Sequence, residues 1–224
     1  MTHKLTPKAA LFLFIPPILW AGNAIVGRIV AGQTPPMTLN FLRWSIALAI
    51  LTPFLGRLWA ARQSLREAWL RLAMLGLAGM GCYNSFQYLA LQTSTAVNVT
   101  LVAASMPVWV LGIGRLFFAQ KVSKRAWLGA ALSLLGVSVV LLQGDLRRFG
   151  DVALVPGDGW MILATWAWAT YSWLLSSPNK AQAAVGQDWL VYLMAQILFG
   201  VMWSASFTAA EWTLPVIFGN PEPQ

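Results

Sequence analysis

Long apolar runs, divided by short gaps in which basic residues collect at every second break, constrain this chain more than any motif in it. Stretches without a charged residue cover 9–27, 72–114, 126–144, 159–179 and 189–210, and 29–56 is interrupted only by Arg43. A helix needs about 20 mostly apolar residues to cross the hydrocarbon core of a bilayer. The run 72–114 is long enough for two crossings, and the polar string Gln92-Thr93-Ser94-Thr95 stands where a turn would go. The pattern predicts an all-α, polytopic membrane protein with seven transmembrane helices near 9–30, 36–57, 70–91, 96–118, 125–143, 158–178 and 188–210. Composition excludes the soluble alternative: 58% of residues are hydrophobic and only 10% charged, against about 25% charged in a soluble domain.

The gaps also orient the chain. Lys4 and Lys8, then Arg57, Arg62, Arg66 and Arg71, then Arg115, Lys121, Lys124 and Arg125, then Lys180 fall on one side, eleven of the 15 basic residues. Arg28, Arg147 and Arg148 fall on the other, and Arg43 lies within a span. Basic loops stay in the cytoplasm, so the chain is expected in the cytoplasmic (inner) membrane as a multi-pass protein with its N-terminus inside. In this setting the net charge of +8 reflects orientation, not affinity for nucleic acid. The first span follows His3, Lys4 and Lys8 as a signal peptide would. It is long, however, holds Pro16-Pro17 and has no clear small-x-small cleavage site, so it reads as a retained helix. Trp59, Trp69, Trp127, Trp160, Trp189 and Trp212 stand at predicted helix ends, where an indole suits the headgroup layer. Gly129 with Ser133, and Ser45 with Ala49, are small residues four apart, a spacing that lets helices approach closely.

Several segments carry a family resemblance. Ile18-Leu19-Trp20-Ala21-Gly22-Asn23 resembles the first-helix signature of the EamA family of the drug/metabolite transporter superfamily. Pro36 with Arg43 in the second helix, the stretch 88–107 with Ser105-Met106-Pro107, and Gly129 with Gly136-Val137 are similar to that family too. The resemblance implies two five-helix repeats of opposite orientation. An odd number of spans in the first unit makes the second start from the other side, and Trp20-Ala21 is echoed by Trp168-Ala169. The implied organisation is a first repeat at 1–143, an extracytoplasmic loop at 144–157 and an incomplete second repeat at 158–224. Against the ten helices the family implies, the chain stops two helices into its second unit, which points to a fragment, a truncated product or a remainder encoded elsewhere. Gln120-Lys121 departs from the family's acidic-basic pair.

Polar residues inside the spans are the candidates for a site. Tyr83, Asn84, Gln87 and Tyr88 occupy one sector of roughly 140° on the third helix. Groups of this kind in a membrane must meet protein partners or line a water-filled cavity, and both readings stay open. Asn98, Val102, Ser105 and Trp109 share a face of the fourth helix, which Pro107 can kink; Asn98 could equally cap that helix. Asn23 is either glue between helices or a substrate contact. Arg43 stands about 9 Å from the outer end of its helix and is either a functional charge or one that snorkels outward. Thr165, Trp168, Tyr171 and Ser172 form a matching surface on the sixth helix. The expected substrate-binding set is Trp20, Asn23, Arg43, Tyr83, Asn84, Gln87, Asn98, Ser105, Trp168 and Tyr171.

No Asp or Glu lies in the apolar interior of a predicted span, so a proton-relay carboxylate cannot be argued. The one His is at position 3 and the one Cys at position 82. No enzymatic triad, disulfide, metal-ligand spacing or phosphate-cradling loop follows, and no cofactor is expected. The family resemblance implies a secondary transporter that exports a small polar or amphipathic metabolite by alternating access. The alternative is a non-transporting membrane protein or assembly partner. Expected partners are the lipid bilayer, a small-molecule substrate and, as an open question, a second copy of the chain in a homodimer. The topology is directly testable: alkaline phosphatase fused after Ala210 should be active in the periplasm. Activity of a cytoplasmic reporter alone at that position would overturn the orientation.

Overall fold

The computed structural model describes residues 7–141 and 155–214. The expected loop 144–157 lies outside the described residues up to 154, as do the end of the fifth predicted span at 142–143, the tail 215–224, and His3, Lys4, Asp145, Arg147, Arg148, Asp151 and Glu222. The helices run in the order α1 (Pro7–Ile29), α2 (Pro36–Ile50), a 3₁₀ turn (Thr52–Phe54), α3 (Leu55–Ala60), α4 (Arg62–Leu75) and a π-helical turn (Gly76–Cys82). They continue through α5 (Tyr83–Thr93), α6 (Ala96–Ala104), α7 (Met106–Phe117), α8 (Lys124–Leu141), α9 (Pro156–Ser176), α10 (Lys180–Val185) and α11 (Trp189–Thr213). No strand occurs among the described residues. Of the described helices, α11 alone is long and apolar enough to cross a membrane as a single rod, and two bent pairs raise that number to three.

The bends have local causes. The segment 36–60 turns by 51° around the 3₁₀ turn, where Pro53 has no N–H to give. The α6–α7 pair turns by 41° at Ser105, ahead of Pro107, whose ring cannot continue the ladder of the preceding turn. Between α5 and α6 the polar string makes the expected turn. Ser94 is extended, and the Thr95 hydroxyl caps α6 by accepting from the Asn98 N–H at 3.1 Å. The short helix α10, which hydrophobic periodicity does not announce, is capped by Asn179 accepting from the Gln182 N–H at 2.8 Å.

The helices interleave along the chain. Helix α9 packs against α5, α6 and α7; α11 packs against α2, α4 and the π-helical turn; α10 lies on α4. One apolar cluster joins Leu72, Leu75, Leu174, Leu190 and Met194. A second joins Tyr88, Leu91, Val99, Met161 and Ala164. Helix α8 packs against α6 and α7, and a Cβ placed on Gly129 would meet nothing within 4 Å. The close approach expected at Gly129 and Ser133 is not made, because an apolar gap separates that face of α8 from Met106, Pro107, Val110 and Leu111 of α7. The tight contacts are made by the π-helical turn instead. A Cβ on Gly76 would stand 2.7 Å from Phe199 Cβ, and one on Gly79 would stand 2.6 Å from the Tyr171 ring. Hydrogen at those two positions is what lets α11 and α9 reach the backbone.

Side chains also bond carbonyls along and just ahead of the π-helical turn, where the ladder widens. Trp203 Nε1 donates to Ala73 O at 3.1 Å, and Asn84 Nδ2 donates to Gly79 O at 3.2 Å. Asn40, wholly buried on α2, sets its Nδ2 2.8 Å from Met80 O, 3.0 Å from Ser85 Oγ and 3.1 Å from Ser204 Oγ. One amide thus ties α2, the π-helical turn, α5 and α11 together.

Charged side chains close four helix ends, three of them reaching from a neighbouring helix. The buried Glu211 carboxylate accepts from the N–H groups of Met37 and Thr38 at 2.8 and 2.9 Å, at the N-terminus of α2. The buried Asp158 accepts from the Val155 N–H at 2.9 Å, from Asn98 Nδ2 at 3.1 Å and from the Ser94 hydroxyl. At C-termini, Arg28 donates to Leu91 O at 2.6 Å, and Arg71 donates to Ser177 O at 2.6 Å and Leu174 O at 3.3 Å. Anions at N-termini and cations at C-termini match the helix dipole. The sequence places Asp158 and Glu211 at the outer edge of the spans; the folded chain buries both as structural caps.

Asn40→Leu tests the junction. It would strand Met80 O and two serine hydroxyls in the packed core, at about 1–3 kcal/mol of stability for an unpaired buried group. The melting temperature of the purified protein and its membrane abundance should both fall; an unchanged melting temperature would show that the junction contributes nothing.

Candidate functional site

A cavity of about 320 Å³ opens between α1, α2, the π-helical turn, α5 and α9. Its walls are Leu19, Trp20, Asn23, Arg43, Trp44, Gly79, Met80, Tyr83, Asn84, Gln87, Trp168 and Tyr171. Eight of the ten residues expected from sequence thus stand around one space: Trp20, Asn23, Arg43, Tyr83, Asn84, Gln87, Trp168 and Tyr171. The polar sector of α5 reaches it because the π-helical turn sets the register of Tyr83 and everything after it.

One wall is polar and centred on Asn23. Its Oδ1 accepts from Arg43 Nη1 at 2.8 Å and from the Tyr88 hydroxyl at 2.7 Å, and its Nδ2 donates to Gln87 Oε1 at 3.4 Å. Arg43 does not snorkel outward. Its guanidinium lies 4.7 Å from the Trp44 ring centroid and 5.7 Å from that of Tyr88, within the range of cation–π attraction. No carboxylate pairs with it: among the described residues the one ion pair is Arg57 with Asp188, at the far end of the bundle.

The opposite wall is aromatic. Trp168 meets Trp20 edge-on at 5.2 Å, Tyr83 at 4.8 Å and Tyr171 at 5.3 Å between ring centroids. Such offset and edge contacts are the favoured arrangements of aromatic rings. Tyr171 is held by its hydroxyl donating to Gln196 Oε1 at 3.0 Å. Gln196 and Tyr88 support the walls without forming them, and Leu19, Trp44, Gly79 and Met80 are wall residues that the sequence did not single out. Tyr88 was visible as part of the α5 polar sector, and Trp44 adjoins Arg43. Gly79 and Met80 carried no signal, since an apolar run shows nothing of a π-helical turn.

Two expected residues lie elsewhere. Asn98 holds Asp158 at the start of α9, and Thr95, not Asn98, caps α6. The Ser105 hydroxyl donates to Val102 O at 2.6 Å and accepts from Trp109 Nε1 at 3.0 Å, so it fastens the bend between α6 and α7. Both are polar residues used by helix ends, which sequence spacing does not distinguish from cavity lining. Thr165 and Ser172 bond back to Ile162 O and Trp168 O within α9. Phe86 of α5 packs against Trp160 of α9 at 5.5 Å between rings. Among the described residues no group of His, Cys, Asp or Glu could hold a metal ion.

Residues 7–142 match the model of the EamA-like transporter family. An "Uncharacterized transporter" of Archaeoglobus fulgidus is 28% identical over 165 residues, 74% of this chain and 56% of the relative. The inner membrane protein YtfF of Escherichia coli is 27% identical over 187 residues, 77% of this chain and 58% of the relative. The "Uncharacterized transporter YvbV" of Bacillus subtilis is 26% identical over 223 residues, 94% of this chain and 68% of the relative. The chain thus spans a little over half the length of the first two. No solved structure matches it.

Proposed function

Because the chain belongs to the EamA-like transporter family, we propose that it is the solute-binding part of a secondary transporter that exports a small metabolite through the cavity between α1, α2, α5 and α9. The observation that carries this reading is the cavity itself, with a hydrogen-bonded polar wall facing an aromatic one. A space of this size with a few convergent polar groups suits a small organic molecule. In this reading seven spans cross the inner membrane with the N-terminus in the cytoplasm, as the basic gaps require. The first five form one repeat and the last two begin an inverted second. Trp20 and Trp168, the echoed residues of the two units, then meet within the aromatic wall, as expected where repeats share a midplane site and rock about it.

Each wall has a task. Asn23, its oxygen saturated by Arg43 and Tyr88, fixes the guanidinium in place. Gln87 and Tyr83 supply groups that can bond a solute's polar end, and the four rings stack on its apolar part. Cells expressing the transporter with both repeats complete should release a solute that control cells retain, read by mass spectrometry of the medium. Gln87→Leu and Tyr83→Phe should each lower that release about fivefold or more at normal membrane abundance, because a polar group of the bound solute is then left unpaired. Release equal to the parent in both variants, or losses that simply track abundance, would overturn the assignment.

A further inference from the structure

The cavity is one-sided in charge. Arg43 is its sole ionised wall residue, and the acidic groups of the described chain are occupied elsewhere. Glu67 is bonded by Gln63, Asp158 by Ser94 and Asn98, Asp188 by Arg57, and Glu211 by Met37 and Thr38. The hydrogen-bonding deficit has the same sign. Arg43 Nε and Trp44 Nε1 are buried with no hydrogen-bond partner. Both are groups that only donate and neither has surface in the cavity, so the wall holds no acceptor set aside for Arg43 beyond Asn23.

Resting on the reading of this cavity as a solute site, we infer that its solute is a monoanionic organic acid: one carboxylate on a flat, apolar body. A carboxylate only accepts, and its two oxygens match the fork of a guanidinium. It would also neutralise a charge that is costly at membrane depth. One guanidinium sets the count at one negative charge, since a second would enter without a counter-ion. An ammonium group finds no carboxylate in the walls, so cations and zwitterions are disfavoured along with dianions. The flat body follows from the opposite wall, where Trp168 sits among Trp20, Tyr83 and Tyr171 with centroid separations of 4.8–5.3 Å.

Three probes of one shape separate these possibilities: 4-nitrobenzoate, 4-nitrobenzamide and 4-nitrobenzylammonium, each a quencher of the tryptophans in the walls. Titrated into the purified full chain, the benzoate should half-saturate quenching at a concentration about tenfold lower, or more, than either of the others, as expected for charge-assisted bonds replacing neutral ones. Arg43→Gln should bring the three within about twofold of one another. Where Arg43→Gln does not fold, the ranking in the unaltered protein decides. Equal affinities, or a preference for the ammonium, with quenching lost in Gln87→Leu, would overturn the anion while leaving the cavity a binding site. No saturable quenching by any probe would overturn both.

Discussion

A backbone N–H or carbonyl surrounded by hydrocarbon has no water to bond, so each one left out of a helical ladder must find a partner in the protein. That constraint shapes this chain wherever a helix ends or widens. The ends of α2, α5 and α9 are closed by Glu211, Arg28, Asp158 and Arg71, each reaching across from another helix or, for Asp158, back over its own first turn. In the π-helical turn, in mid-helix, Asn84 and Asn40 bond the carbonyls of Gly79 and Met80. Because these partners come from distant parts of the sequence, satisfying the backbone and assembling the bundle are one event.

The cavity is a consequence of that junction. Glycines in the π-helical turn admit Tyr171 on one side and the α11 backbone on another, and the turn delivers Tyr83, Asn84 and Gln87 to the space that α1, α2 and α9 leave open. Within it the polar groups differ from those at the helix ends. A capping carboxylate is saturated by several donors, whereas the Arg43 guanidinium is held by Asn23, Trp44 and Tyr88 and has no counter-charge among the described residues. Saturated groups hold a structure; a charge without a counter-charge is available to a visitor.

What the sequence made legible follows from which signals are periodic. Hydrophobic runs located the helical stretches, Gln92-Thr93-Ser94-Thr95 located a turn, and Pro107 anticipated a bend. The α5 sector pointed to Tyr83, Asn84 and Gln87 because i, i+1 and i+4 share a face on any regular helix. Asn40 gave no such signal: a lone amide in an apolar run does not reveal that it reaches four helical segments. Asp158 and Glu211 stand at the edges of apolar runs, and a run's edge does not tell whether a charge turns out to water or in onto a helix end. Asn98 and Ser105 misled for the complementary reason, since a polar side chain serving a cap or a bend has the same spacing as one lining a cavity. The π-helical turn was silent, its glycines being equally suited to an ordinary helix.

The central claim is that water and solute reach the space between Arg43 and Trp168. With Cys82 replaced by alanine, a single Gln87→Cys substitution places a thiol on the cavity wall, and Leu128→Cys places one on the exposed face of α8. A water-soluble methanethiosulfonate should label the position-87 thiol many times faster than the position-128 thiol, and 4-nitrobenzoate should protect it. Labelling at position 87 as slow as at 128, with no protection by the probe, would show a dry packing interface and contradict the account.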